Sequence, residues 1–241
     1  MKVDLYIDKY IESQFVANNT KKEAEHTSSG KLSASGLADP LQWQVLKTLG
    51  VEPRPLDEYV LRKFFRGIQI EDWAVGVIPD IVEKQKLIEY RGCIGFADAM
   101  VDTKNWDWKL GVIPAEIKSV ANSKYTRIMK AGPDIGHIYQ ACYYALGTDK
   151  DNFAVIYIAS DDLRVKVYIY ETKTYKAVID KIIDDYDEAI KQFKATGDIP
   201  VFEAKIPWQA NVKYSRFPDW QELNKEQLKQ KYENINSKEN R

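Results

Sequence analysis

Apolar residues recur along the chain at two different periods, and the switches between them mark the elements. Residues 2–17 place Val3, Leu5, Ile7, Tyr10, Ile11 and Phe15 at roughly helical spacing, which predicts an N-terminal helix. The polar stretch NNTKKEAEHTSSGK then reads as a loop. LSASGLADPLQWQVLKTLG predicts a helix with Ser33 or Ser35 as its N-cap and Gly50 as its stop. After the breaker VEPRP, LDEYVLRKFFRGIQIEDWAVGVI returns to helical spacing. Asp57 is its cap, and Tyr59, Leu61, Phe64, Phe65, Ile68 and Trp73 are its apolar positions.

The period then changes. KLIEYRG, CIGFADAMVD and KLGVIPAEIKSV predict three strands, joined by turns at Gly92 and TKNWDWK. DIGHIYQACYYALG is helical and ends at Gly147. NFAVIYIAS and LRVKVYIYET predict a hairpin over Asp161 and Asp162. TYKAVIDKIIDDYDEAIKQFKATG is an amphipathic helix whose core stripe is Tyr175, Val178, Ile179, Ile182, Ile183, Tyr186, Ile190 and Phe193. IPVFEAKIPWQANVKYSRFPDW is extended and broken by prolines, and a charged helix begins near Trp220. The order of helices, strand meander, helix, hairpin and helix implies one α/β (α+β) domain with a mixed central sheet flanked by helices.

Composition narrows the chemistry. The formal net charge is -1, so any site for a polyanion must be a local patch. The two cysteines, Cys93 and Cys142, cannot supply four thiolates to zinc or an iron–sulfur cluster, and they give no disulfide framework. Both read as small buried hydrophobes. No apolar run approaches the roughly 20 residues that span a bilayer, and the N-terminus lacks a signal peptide's apolar segment. A cytoplasmic protein without membrane contact is expected.

One strand carries unexpected charge. In GVIPAEIKSV, Glu116 and Lys118 lie two apart and therefore on one strand face, while Ile113, Ala115 and Ile117 occupy the other. Asp98 falls mid-strand in GFADAMVD, and the short TKNWDWK connection lets the two strands pair. Two carboxylates on one face repel in a low dielectric unless a cation lies between them. Oxygen ligands favour Mg²⁺ or Mn²⁺, and an adjacent ammonium can orient a nucleophilic water. Glu116 and Lys118 also suit an ordinary exposed ion pair at a strand edge.

Asp98 followed by AEIKS resembles the PD-(D/E)XK nuclease superfamily. HIYQACYY, with His137, Gln140 and Tyr144 on one helix face, looks like the additional Gln-x-x-x-Tyr motif of RecB-type nuclease domains and of the related CRISPR adaptation nucleases. LSASGLADPLQWQVLKTLG is similar to the Ser-x-Ser helix that opens such domains, and FFRGIQIEDW to their Gly-x-x-x-(His/Glu) motif, at Gly67 and Glu71. The resemblance covers about residues 31–172 in one order. It implies a single nuclease domain over residues 1–241 with a restriction-endonuclease-like core at 31–172. An N-terminal helix and loop would precede that core at 1–30, and C-terminal helices and a proline-broken segment would follow at 173–241.

By this resemblance Asp98 and Glu116 would be metal ligands with the Ile117 carbonyl, Glu71 would bind the metal directly or through water, and Lys118 would position or deprotonate the water. Gln140 and Tyr144 would steady the site. His137 and Ser35 would lie against DNA. Many relatives end in an iron–sulfur cysteine cluster; KYSRFPDW stands there without cysteine, and Trp208, Tyr214, Phe217 and Trp220 could fasten the segment by packing. Around the motifs, Arg62, Lys63, Arg66, Lys124, Arg127 and Lys130, with Tyr125, could track a nucleic-acid backbone and stack a base, or could form a solvated face. The expected function is a Mg²⁺/Mn²⁺-dependent deoxyribonuclease without an iron–sulfur cluster. It would be an exonuclease acting on single- or double-stranded DNA ends in phage or bacterial recombination and processing, with a phage recombination partner or further copies of itself. The alternatives are a structure-specific or restriction-type endonuclease, and a silent DNA- or protein-binding module on the same fold.

Overall fold

The computed structural model describes residue 13, residues 30–211 and residues 215–239. Apart from residue 13, the predicted helix over 2–17 lies outside the described residues, as do the loop after it up to residue 29 and Tyr214. Helices α1 (Leu41–Thr48) and α2 (Glu58–Val77) precede strands β1 (Ile81–Tyr90), β2 (Cys93–Asp102) and β3 (Val112–Val120). Helices α3 (Asn122–Ala131) and α4 (Ile135–Gly147) lead to strands β4 (Asn152–Ala159) and β5 (Val165–Glu171). Helices α5 (Lys173–Thr196) and α6 (Lys225–Glu239) complete the chain. The sheet order is β1-β2-β3-β4-β5. Every neighbouring pair is antiparallel except β3 and β4, which run parallel. This is the mixed, helix-flanked α/β sheet of a restriction-endonuclease-like core.

The parallel β3–β4 pair sets the layout. Parallel neighbours require a long crossover, and α3 and α4 supply it. Strand β4, NFAVIYIA, is buried on both faces, which explains its unbroken apolar run. Cores lie on either side of the sheet. The larger gathers α1, α4 and α5 over Val155, Tyr157 and Phe153. The smaller packs Ala74 and Val75 of α2 against Ile113, Ala115, Ile117 and Ile156. Cys93 and Cys142 are buried free thiols, as their apolar surroundings in the sequence predict.

Three expectations are corrected. The helix placed over Ser33–Gly50 is a short 3-10 turn, Ala34–Gly36, followed by α1 from Leu41. Pro40 separates them, since it holds its own φ and gives no N–H. Ser33 caps nothing, and its Oγ instead accepts from Lys47 Nζ at 3.2 Å. Strand β1 begins at Ile81, five residues earlier than its apolar pattern suggests, because its first half is a solvated edge. Asp57 does cap α2, accepting from the Val60 N–H at 2.8 Å. Yet Tyr59, Phe64, Ile68 and Trp73 are exposed, and only Leu61, Ala74 and Val75 of that helix are buried. Helix α5 buries its predicted stripe except Tyr175, which is half-buried against the larger core, and Val178, which is exposed.

The proline-broken segment is held by side chains. Gln209 is buried; its Oε1 accepts from the N–H groups of Lys205 and Ile206, and its Nε2 donates to the Ala38 carbonyl at 3.0 Å. Phe217 enters the larger core, Trp220 packs on it, and the Trp208 ring lies 6.2 Å from that of Trp43.

Glycine is needed where β2 meets α4. A Cβ on Gly95 would stand 2.6 Å from Ala34 Cβ and 2.8 Å from the Tyr144 ring, closer than packed atoms approach. The missing side chain lets β2, the 3-10 turn and α4 converge. Gly95→Ala is expected to lower stability by about 1–3 kcal/mol, the usual range for overpacking. Urea unfolding checks this, and an unchanged midpoint would show that Tyr144 is not fixed by this contact.

Candidate active site

Strands β2 and β3 pair from Ala99↔Ala115 to Asp102↔Val112, and there the ladder stops. Beyond it, the β3 N–H groups that face β2 need other acceptors, because a buried amide without a partner is destabilising. Carboxylates take them. Asp98 Oδ2 accepts from the Ile117 N–H at 2.8 Å, and Glu71 Oε1 accepts from the Ser119 N–H at 2.9 Å. A strand from the sheet and a helix from one side of it thus fasten to the same stretch of β3.

Strand β2 turns at this point. Ala97 packs in the larger core and Ala99 in the smaller, although residues two apart ordinarily share a strand face. In the β1–β2 register the partners run Lys84↔Ala99 and Lys86↔Ala97, which sets Gln85 opposite Asp98. Gln85 has φ 48°, a left-handed backbone that disfavours a side chain by roughly 1–2 kcal/mol. A cleft of about 390 Å³ opens here, lined by Ile68, Glu71, Asp72, Lys84, Gln85 and Asp98.

Glu116 and Lys118 lie on the sheet face toward α4. Glu116 is 0% exposed, and neither of its oxygens accepts a hydrogen bond of proper geometry. Oε1 rests against Lys118 Nζ in a close ion pair, and Lys118 Nζ also lies 3.7 Å from Asp98 Oδ2. The Lys118 side chain keeps 24% of its surface open. Burial pushes the Glu116 carboxyl up to about 8; Lys118 opposes this, and Asp98 and Glu71 add to it. Burial likewise raises Glu71, against the pull of Lys118 and the Ser119 N–H. Burial would lower Lys118, but Glu116, Asp98 and Glu71 together overcome it, so its pKa rises and the ammonium is retained.

On α4, Gln140 Nε2 donates to the Tyr144 hydroxyl at 2.8 Å. Tyr144 is buried, and burial together with the nearby Glu116 charge keeps its phenol protonated. His137 sits one turn earlier, its Nδ1 2.7 Å from the Tyr157 hydroxyl. The structure therefore gathers Asp98, Glu116, Lys118 and Glu71 at the end of the β2–β3 ladder, with Gln140, Tyr144 and His137 along the helix above. The Ile117 side chain is buried in the smaller core, and its backbone N–H serves Asp98.

The basic residues are engaged elsewhere. Lys124 and Arg127 both pair with Asp134, at 2.7 and 2.5 Å, and Arg66 lies 3.9 Å from Asp161. Despite its burial, Asp134 is held below the ordinary carboxylate range by these cations. Lys130 ends α3 on the surface. Ser35 is exposed on the 3-10 turn, 3.3 Å from Ser33 Oγ. Lys84 and Gln85 escaped the sequence reading because EKQK carries no apolar alternation. Tyr157 escaped it because it sits inside an apolar strand. Among the described residues, no three His, Cys, Asp or Glu side chains stand gathered around a metal position. Asp98 and Glu71 are turned to backbone amides and Glu116 to Lys118.

The Glu116 shift has a consequence for stability. A carboxyl whose pKa rises from 4.5 to about 8 on folding binds more protons folded than unfolded, so its destabilising effect grows as pH rises between those values. Glu116→Gln removes that effect. The melting temperature of the variant relative to the parent is expected to increase as pH rises from 4.5 to about 8. Parallel melting curves across this range would mean that Glu116 titrates normally.

No family model matches the chain, and no curated protein matches it. Among solved structures, it is similar to an alkaline exonuclease (LHK-Exo) from Laribacter hongkongensis. The TM-score is 0.51 and the identity 17%, over 77% of this chain and 97% of that one. The same exonuclease in complex with dAMP aligns with TM-score 0.52 and 16% identity, over 72% and 97%. At these identities the likeness is one of fold.

Proposed function

We propose that this chain is a metal-dependent deoxyribonuclease that hydrolyses phosphodiester bonds as an exonuclease at DNA ends. The observation that carries the reading is Glu116: a carboxylate enclosed by protein, without a proper hydrogen bond, beside Lys118 and Asp98 where β2 and β3 part. A buried charge left in this state is unfavourable for folding alone, and a functional site is where such an arrangement persists. The fold shared with an exonuclease agrees with this reading, as does that enzyme's complex with dAMP.

The donor set suits a hard cation. Glu116 offers two oxygens without hydrogen bonds, Asp98 and Glu71 add carboxylates at the cleft, and none of these ligands is sulfur. Asp98 and Glu116, with the Ile117 carbonyl and Glu71, would hold Mg²⁺ or Mn²⁺ after Asp98 and Glu71 turn an oxygen from the β3 amides. Such an ion supplies Lewis-acid polarisation of a phosphoryl oxygen. The chain's own groups do the rest. Lys118 keeps its proton and meets negative charge developing on the phosphate. Glu116 holds that ammonium in place. Tyr144 and Gln140 close the site from above as neutral hydrogen-bonding groups.

Asp98→Asn and Glu116→Gln are each expected to abolish cleavage and to weaken Mn²⁺ binding by calorimetry while the fold is retained; parent-like Mn²⁺ binding in both would refute the metal assignment. Lys118→Ala is expected to lower single-turnover cleavage by roughly 10²–10³ with DNA affinity in Ca²⁺ little changed, as for loss of one preorganised electrostatic group. Linear and circular DNA separate the activities: loss of the linear form alone marks an exonuclease, loss of both an endonuclease, and loss of neither a binding module.

A further inference from the structure

Tyr157 stands beside Lys118 in the β3–β4 register, and its ring is buried. Two groups converge on its hydroxyl. The Asp134 N–H donates to it over 3.1 Å, and His137 Nδ1 lies 2.7 Å away. A phenol has one proton to give. Among the described residues, His137 Nδ1 is the acceptor within reach of that proton. Were Nδ1 to carry a hydrogen instead, the buried hydroxyl would accept twice and its own proton would go unpaired, which is unfavourable. Tyr157 therefore donates and Nδ1 accepts.

The consequence falls on the other ring nitrogen. A neutral imidazole with a bare Nδ1 carries its hydrogen on Nε2. The ring is neutral because burial, followed by Lys118 and Lys124, presses its pKa down to about 3. Among the described residues Nε2 has no hydrogen-bond partner, and it is not sealed from solvent. It belongs to the same helix face as Gln140 and Tyr144, one turn before them. An N–H donor without charge is useful next to an ammonium. It can bind an anionic oxygen without repelling Lys118, as an imidazolium would.

We propose that Tyr157 is a positioning residue that fixes His137 as its Nε2–H tautomer, so that the ring offers a neutral donor to a phosphate of the substrate strand beside Lys118. The phosphate role rests on the nuclease reading above; the tautomer rests on hydrogen-bond geometry alone. Asp134 joins the two halves of this device. Its N–H satisfies the Tyr157 oxygen, and its carboxylate holds Lys124 and Arg127.

The test uses the full chain. It has two histidines, His26 and His137, so His26→Gln leaves one imidazole to observe. Long-range proton–nitrogen correlation spectra of the isotope-labelled protein distinguish a protonated from a bare ring nitrogen. The expected result is a bare Nδ1 and a protonated Nε2, becoming a mixture of tautomers in Tyr157→Phe. A protonated Nδ1 in the parent overturns the proposal whatever the variant does. Affinity for a short linear duplex in Ca²⁺, read by fluorescence anisotropy, tests the phosphate role. His137→Asn, whose amide falls short of the Nε2 position, is expected to lose about tenfold, the worth of one hydrogen bond to a charged group. His137→Gln, whose amide reaches it, is expected to retain most of the affinity. No loss in the asparagine variant, or equal loss in both, removes the phosphate role. A parent that neither binds nor cuts DNA ends the nuclease reading and that role together, while the spectra still decide the tautomer.

Discussion

The backbone N–H groups of Ile117 and Ser119 are the constraint on which the site depends. They face a gap because β2 pairs with β3 only from Ala99 onward, opposite Ala115, and a buried amide must find an acceptor. Asp98 and Glu71 answer from different elements, one from the departing strand and one from α2. Two carboxylates are thereby brought to a place that hydrophobic packing would never choose for them. Hydrogen bonds to amides favour the charged form of a carboxylate and offset part of its desolvation. Strand β2 turns at Asp98, and Gln85 opposite it takes a left-handed backbone, so the departure is built into both strands of the hairpin.

Charge balance follows from that placement. Three carboxylates surround one ammonium, and the most enclosed of them, Glu116, has Lys118 against it. Removing Lys118 would leave that carboxylate uncompensated, whereas Lys118 without Glu116 keeps Asp98 beside it. Burial raises the Glu116 and Glu71 carboxyls and Asp98 adds to both shifts, while the three carboxylates together retain the ammonium. Farther along the sheet face the groups are neutral: Gln140 pairs with Tyr144, and Tyr157 with His137, by hydrogen bonds rather than ion pairs. Lys124 and Arg127 of α3 are drawn to Asp134, so a basic track along them would first have to release that carboxylate.

The frame around the site is uneven in firmness. Near its C-terminus α2 packs Ala74 and Val75 into the smaller core, whereas Tyr59, Phe64 and Ile68 earlier in the helix are exposed. Glu71 sits between these regimes, anchored at the floor of the cleft. On the other side, the segment after α5 is tied to the Ser33–Asp39 turn by Gln209 and Lys205, and to α1 by ring contacts of Phe202 and Trp208 with Trp43.

Sequence by itself determined most of the elements and the antiparallel β2–β3 and β4–β5 pairings, but not helix α3 or the parallel β3–β4 pair. The runs CIGFADAMVD and GVIPAEIKSV, the hairpin about Asp161 and the stripe of α5 are legible because helix and strand periods differ and core positions must repeat with them. The alternation in β3 also showed Glu116 and Lys118 opposite Ile113, Ala115 and Ile117. Tertiary structure alone decided that Glu116 is enclosed, that Asp98 and Glu71 accept from β3 amides, that Lys124 and Arg127 belong to Asp134, and that Tyr157 meets His137. These contacts join residues about 7 to 48 positions apart in the chain. Periodicity reports which face of an element a side chain occupies. Which partner it meets there depends on where two strands part and how a crossover returns, and no local pattern encodes that distance.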